Sequence, residues 1–209
     1  MKPEPEAGQE NLFLMRIFIA LDIDDSIRER IKRFMEGVRG FDPEARWVRH
    51  ESLHITLKFI GEKPPEAIEQ IKNALRTIEM DSMEIAFRGY GFFPTVKWPR
   101  VFWVGIEGVP QLASLAAAVD KLMLPLGIPR EEHAFSPHLT LARGGTASSS
   151  PRWQKGDRLK SNFQQLQEKL AVMPQPEFGT MTAREFFLYQ SQLSQGGSRY
   201  LKLERFALR

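Results

Sequence analysis

Ser52-Leu53-His54-Ile55-Thr56-Leu57-Lys58-Phe59 and Ser136-Pro137-His138-Leu139-Thr140-Leu141-Ala142-Arg143 are two versions of one pattern, 84 residues apart. Each sits in an apolar run that reads as a β-strand. In a strand, side chains alternate faces, so residues two apart point the same way. His54 and Thr56 therefore share one face, with Leu53, Ile55 and Leu57 on the other. His138 and Thr140 likewise stand opposite Leu139 and Leu141. Each strand presents an imidazole and a hydroxyl on one surface and an apolar ladder behind it.

The repeat extends beyond the two tetrapeptides. Sliding the chain by 84 residues also brings Arg16-Ile17-Phe18 onto Arg100-Val101-Phe102. Working outward, residues 15–22 (MRIFIALD) read as a strand. A helix follows, capped by Asp24, Asp25 or Ser26, with Ile27, Ile31, Phe34 or Met35, and Val38 on one face. Residues 46–48 read as a short extended piece and 52–60 as the first motif strand, broken by Gly61 and Pro64-Pro65. A helix over 65–80 and a strand over 83–93 complete the first half. The second half reads as a strand at 100–106, a helix at 110–126 and the second motif strand at 136–143. A mobile Gly/Ser/Pro-rich loop over 144–156 and a helix over 159–172 come next, then strands over 181–193 and 198–207. This order predicts an α+β fold of two similar modules, approximately 15–94 and 100–209. Each has an antiparallel sheet and outer helices, and the two face one another across a central cleft. With no linker between the halves, residues 15–209 read as one bilobal domain. Residues 1–14 read as a disordered extension, with Met15 as the working start of the fold.

The composition of the 209-residue chain narrows the chemistry. There is no cysteine, which excludes thiol catalysis, thiolate metal sites and a disulfide framework, and which fits a reducing cytoplasm. No apolar run approaches the roughly 20 residues of a membrane span, and the polar start is not a secretory signal. The net charge of +3 is mild and favours an anionic ligand only if focused in a cleft. Nothing in the sequence demands more than a monomer.

A lone histidine on a strand is more often structural than catalytic, and His50 and His133, in loop-like sequence without counterparts in the other half, are read that way. A His-x-Thr-Leu occurs by chance in roughly one chain in fifty of this length at average composition. Two copies at equivalent places in a repeat are far rarer. Metal binding is poorly served, since neither motif strand carries an acidic residue. Nucleophilic attack by threonine has no third orienting group. Concerted acid–base catalysis fits best: one imidazole takes a proton from water, the other gives one to a leaving oxygen, and the hydroxyls donate to oxygens between them. A phosphodiester has that shape, with in-line entering and leaving oxygens and anionic equatorial ones. Arg143 is the natural cationic clamp. Strict alternation puts it on the face opposite His138, so it requires a bend, for which Gly144-Gly145 is the expected place. Phe59 holds the matching position in the first half and, with Trp47, is a candidate to stack on a base or ribose, core packing being the competing role for both.

These pieces resemble the two-histidine phosphoesterase superfamily and, within it, the RNA 2′,3′-cyclic phosphodiesterases, also called 2′-5′ RNA ligases. The resemblance lies in MRIFIALD at 15–22, RWV…SLHITLKFIGE from 46 to 62, RVFWVGI at 100–106, FSPHLTLAR at 135–143 and SQL…GGSRYLKLERFAL from 191 to 208. It implies that His54 is the general acid and His138 the general base, that Thr56, Thr140 and Arg143 bind phosphate, and that neither metal nor cofactor is required. The implied reaction is hydrolysis of an RNA 2′,3′-cyclic phosphate end to a 2′-phosphomonoester, with reverse 2′-5′ ligation as a side activity. The residues themselves leave two alternatives open: a module that binds a nucleotide or RNA end without turnover, and a cyclic phosphate on a small nucleotide as substrate.

Overall fold

Met15–Leu21 (β1) is a run of Ile, Phe, Ala and Leu whose odd positions, Ile17, Ile19 and Leu21, enter the main apolar core. The computed structural model that shows this describes residues 14–107, 110–144, 163–194 and 197–209. The remaining elements are the helix α1 (Asp25–Val38), the two-residue strand β2 (Arg46–Trp47), the first motif strand β3 (Ile55–Lys63), α2 (Pro65–Leu75), β4 (Met83–Pro94), β5 (Pro99–Glu107), α3 (Pro110–Met123), the second motif strand β6 (His138–Arg143), α4 (Gln164–Ala171), β7 (Glu177–Ala183), β8 (Glu185–Ser194) and β9 (Gly197–Ala207). The mobile loop read over 144–156 and the start of the helix read at 159 fall largely outside the described residues, as does almost all of the extension over 1–14.

The strands form two antiparallel sheets, ordered β3-β1-β8-β9 and β2-β6-β5-β4-β7. This is the expected α+β architecture of paired sheets with outer helices. The sheets do not coincide with the halves of the sequence, however. The first half sends β2 and β4 into the second sheet, and the second half sends β8 and β9 into the first. Helices cross over too. α1 leaves β1 and packs on β7, with Phe34 set edge-to-face on Phe178, whereas α3 leaves β5 and packs on β3. This exchange leaves each sheet dependent on chain from both halves. The run over 181–193, read as one strand, turns at Arg184 into β7 and β8, which belong to different sheets. Its apolar alternation continues through the corner and carries no sign of it.

What positions the site is a departure from ideal pairing. On β1, Ile19 pairs with Lys58 and Ala20 with Thr56, leaving Leu57 as an extra residue. On β5, Phe102 pairs with Ala142 and Trp103 with Thr140, leaving Leu141 extra. These are β-bulges at equivalent places, and each puts two consecutive residues on the core side. Leu57 and Lys58 are both buried, as are Leu141 and Ala142. Alternation then resumes with its parity inverted, so Phe59 and Arg143 emerge on the face of the histidines. The bend expected at Gly144-Gly145 is therefore made earlier, within the strand. Gly61, expected to end the first motif strand, instead sits within it beside a second register shift at φ +88°, a conformation glycine adopts without the strain of a Cβ.

The registers also refine the repeat. The motif strands match at an offset of 84, but their partners match at 83: Phe18 stands where Val101 does, Ala20 where Trp103 does. A one-residue offset exchanges the faces of a strand. Phe102 is thus a core residue, stacked on Phe92, and is not the counterpart of Phe18.

Lys58, 2% exposed, is the buried charge that the first bulge creates. Its ammonium donates to Asp120 of α3 at 2.6 Å and to the Pro129 carbonyl at 2.9 Å, fastening the motif strand to the helix behind it. Breaking a buried pair by removing one partner is costly. Lys58→Ala is expected to lower the unfolding free energy by about 2–4 kcal/mol. A urea titration showing a loss below about 0.5 kcal/mol, the level of an ordinary surface substitution, would count against this fastening role.

Candidate active site

β3 and β6 approach each other where the two sheets meet. Between them lies a cleft of about 520 Å³, into which His54, Thr56 and Phe59 project from one strand and His138, Thr140 and Arg143 from the other. The side chains singled out on the two motif strands are thus brought together. Among the described residues no carboxylate lines the cleft, while Arg143 and Arg16 do. The site is therefore built for an anion.

Both histidines are held in the same way. The Nδ1 of His54 lies 2.8 Å from the Ser52 carbonyl, and the Nδ1 of His138 lies 2.8 Å from the Ser136 carbonyl. A carbonyl can only accept, so in each ring Nδ1 carries the hydrogen and Nε2 is left to exchange protons. The Ser52 carbonyl reaches the His54 ring across Leu53, whose backbone is extended. Both rings also lean on aromatic walls. Phe18 lies 4.8 Å from His54 and Tyr200 5.0 Å, the latter edge-on. Phe93 lies 4.9 Å from His138, edge-on, with Trp103 at 6.3 Å. Gly91 makes room for that indole, since a Cβ there would come within 2.2 Å of it.

Enclosure governs the electrostatics. Burial is the main reason that the His54 pKa is pulled down to about 4; Arg143 and His138 add to the depression, and the Ser52 carbonyl and the Asp22 charge oppose it. Burial also lowers the pKa of His138, with Arg143 acting in the same sense and the Ser136 carbonyl against it. With nothing bound, both imidazoles are neutral near pH 7. An anion between them favours the protonated forms and raises both values.

Phe59 is 59% exposed and forms an open apolar wall of the cleft. Trp47 does not share it. β2 pairs its Trp47 with the core-facing Ala142, so the indole sits edge-on to Phe102 at 6.0 Å and donates to the Asp42 carbonyl at 3.0 Å. It borders a separate groove of about 300 Å³, and the base contact suggested for it from sequence is corrected to a packing role. His50 lies on the same groove beside Glu51, and His133 is exposed. Sequence reading missed Arg16, Phe18, Tyr200 and the serines Ser191 and Ser198, which also line the cleft. The only hint of the C-terminal members was their place in the resembling segment.

Known proteins match this architecture. The family model for LigT-like phosphoesterases matches the chain twice, over residues 21–103 and 104–200. The chain belongs to that family of the two-histidine superfamily. Among curated relatives, the RNA 2′,3′-cyclic phosphodiesterase of Archaeoglobus fulgidus is 33% identical over 192 residues, spanning 92% of this chain and 99% of that one. The enzyme of the same name from Methanothermobacter thermautotrophicus is 31% identical over 196 residues, spanning 93% and 99%. Among solved structures, Escherichia coli LigT in complex with 3′-AMP is similar with a TM-score of 0.73 at 26% identity, over 93% of this chain and 98% of that one. Among the described residues no helix is long and apolar enough to cross a membrane.

The low pKa of His54 has a consequence for stability. The folded value lies below that of an unfolded chain, about 6.5. The neutral ring therefore contributes stability in full above about pH 6.5, and that contribution is lost as the pH falls toward about 4. The melting temperature should drop across this window, and drop less in His54→Asn. Equal acid sensitivity in both proteins would show that the ring is not held neutral by the fold.

Proposed function

We propose that the protein hydrolyses 2′,3′-cyclic phosphate ends of RNA, leaving a 2′-phosphomonoester and a free 3′-hydroxyl. The observation that carries this reading is the pairing, in one cleft with no carboxylate among its described lining residues, of two imidazoles whose Nδ1 atoms are committed to backbone carbonyls and whose Nε2 atoms remain available. The names of the relatives support the substrate class.

In this reading the cyclic phosphate lies between β3 and β6. Nε2 of His138, neutral, takes a proton from water as the water oxygen bonds to phosphorus. The bond from phosphorus to O3′ breaks, and Nε2–H of His54 gives its proton to that oxygen. The hydroxyls of Thr56 and Thr140 and the guanidinium of Arg143 hold the non-bridging oxygens and take up charge in the transition state. Phe59 offers a face to the ribose or base. The two rings end in exchanged protonation states, and proton exchange with solvent resets them. A 5′-hydroxyl in place of water yields a 2′-5′ linkage by the same displacement, which is the ligation implied by resemblance. No step calls on a metal ion, and two imidazoles without a carboxylate are a thin ligand set for one. A monomer acting in the cytoplasm suits this activity.

Three measurements test it together on an oligoribonucleotide ending in a cyclic phosphate. His54→Ala and His138→Ala are each expected to reduce kcat at least about 100-fold with an intact fold, as loss of general acid–base catalysis does. Arg143→Ala should reduce kcat/KM by about 10–100-fold, the scale of a lost charge-assisted contact. Turnover should persist in chelator. Near-normal turnover by either histidine variant, or a product that keeps its phosphate on the 3′-oxygen, would overturn the assignment; a mononucleotide cyclic phosphate hydrolysed as well as the oligomer would shift the substrate to small nucleotides.

A further inference from the structure

The motif strands offer each histidine the same carbonyl and a like threonine, so they do not by themselves say which ring holds the proton. The difference lies on the neighbouring strands. β1 pairs Leu21 with Ile55, and continuing that register by one residue sets Asp22 opposite His54. In the other lobe the equivalent partner of His138 is Gly105. No side chain fits at Gly105, because a Cβ there would lie 2.4 Å from the Arg88 carbonyl oxygen. One histidine has a carboxylate beside it, and the other has bare backbone.

Asp22 is firmly placed. Its Oδ1 accepts from the Ile23 amide at 2.8 Å and from Arg28 of α1 at 2.5 Å, and its Oδ2 accepts from Lys202 of β9 at 2.5 Å. Burial works to raise its pKa, but the Lys202 and Ile23 hydrogen bonds and the two cations prevail and hold it below the usual carboxylate range. It is ionised at neutral pH. Asp22 and His54 line a common pocket of about 310 Å³ with Tyr189, Tyr200 and Lys202, which adjoins the cleft at Ser52, His54 and Tyr200, while Asp22 itself does not line the cleft. Asp22 makes no hydrogen bond to the ring, whose Nδ1 is taken by Ser52, so it acts through space.

We infer that Asp22 is the positioning residue that breaks the symmetry of the site, favouring the His54 imidazolium from behind and so supporting His54 in the role of acid, with His138 as the base. The roles of acid and base rest on the proposed hydrolysis; the charge asymmetry does not. The titratable and charged groups around His54 are Asp22 from the end of β1, Glu51 from the turn before β3, Tyr189 from β8, Tyr200 and Lys202 from β9, and Arg143 and His138 from across the cleft; Arg28 of α1 reaches Asp22 behind them. Burial opposes a proton on His54 most, drawing its pKa down to about 4, and Arg143 and His138 add to it, while the Ser52 carbonyl and Asp22 act against that depression. Arg28 and Lys202 fix Asp22 and offset part of its charge, and Asp22 favours the proton.

This predicts opposite effects from two substitutions. Asp22→Asn keeps an acceptor for Ile23 and Arg28 but removes the charge. The His54 ring, followed by NMR with sulfate present as a phosphate mimic, should titrate about 0.5–1 pH unit lower, with His138 nearly unmoved. The kcat–pH limb that reports the acid should move down with it, and kcat at neutral pH should fall about 3–10-fold with KM little changed. Lys202→Met leaves the Asp22 charge less offset, so the His54 titration should move up. A purely structural Asp22 would shift neither ring, or would shift both in the same sense in both variants, and either result overturns the inference. If Asp22→Asn does not fold, Lys202→Met decides alone, an unmoved or lowered His54 being fatal. The NMR titrations need no turnover, so absence of cyclic-phosphate hydrolysis by the native protein would remove the proposed reaction while leaving the charge asymmetry to be judged separately.

Discussion

The site depends on one extra residue in each motif strand. A β-strand without a bulge cannot place His138, Thr140 and Arg143 on one face, because the third is an odd number of residues from the others. The bulge at Leu141 and Ala142 spends one residue on the core side and returns the chain with opposite parity. The bulge at Leu57 and Lys58 does the same for His54, Thr56 and Phe59. Both bulges turn an imidazole, a hydroxyl and a third side chain toward the same cleft. What differs is the third side chain: a guanidinium on one strand and an aromatic ring on the other. The guanidinium and the apolar wall therefore enter the cleft from opposite strands.

Enclosure by Phe18, Tyr200, Phe93 and Trp103 has a second consequence. Rings packed against apolar surfaces resist protonation, so the empty site holds two neutral bases beside the positive charge of Arg143. Such a site is electrostatically incomplete until an anion arrives. In the proposed reaction the anion then offsets the penalty on the imidazolium that would serve as acid, which couples binding to protonation. A carboxylate in the cleft would satisfy Arg143 internally and compete with that anion. Asp22 lies behind His54, where its charge reaches the ring without lining the substrate cleft.

Much of the site was legible in the linear pattern. Strand alternation pairs each histidine with its threonine, and the 84-residue repeat makes the two pairs one site. Arg143 was legible as a candidate for the cleft but not its route there, because a bulge leaves little trace in composition: Leu-Lys and Leu-Ala are unremarkable dipeptides. Phe18 was matched to Phe102 because identical residues align at an offset of 84, whereas hydrogen-bond register places Phe18 opposite Phe59 and Val101 opposite Arg143. Trp47 carried an aromatic signal that two roles share. The choice fell to its partner Ala142, whose side chain faces the core.

The sequence by itself determined what is local or repeated: the α+β order of elements, the imidazole–hydroxyl pairs, and the exclusion of thiol chemistry. Tertiary structure alone decided which strands pair and with what shift. It sent β2 and β4 into one sheet and β8 and β9 into the other, broke one apolar run at Arg184, and set Asp22 beside one histidine and Gly105 beside its counterpart. The physical reason is that pairing register is settled by satisfying backbone hydrogen bonds and burying apolar faces between segments far apart in the chain, and neither quantity is encoded in any one of them.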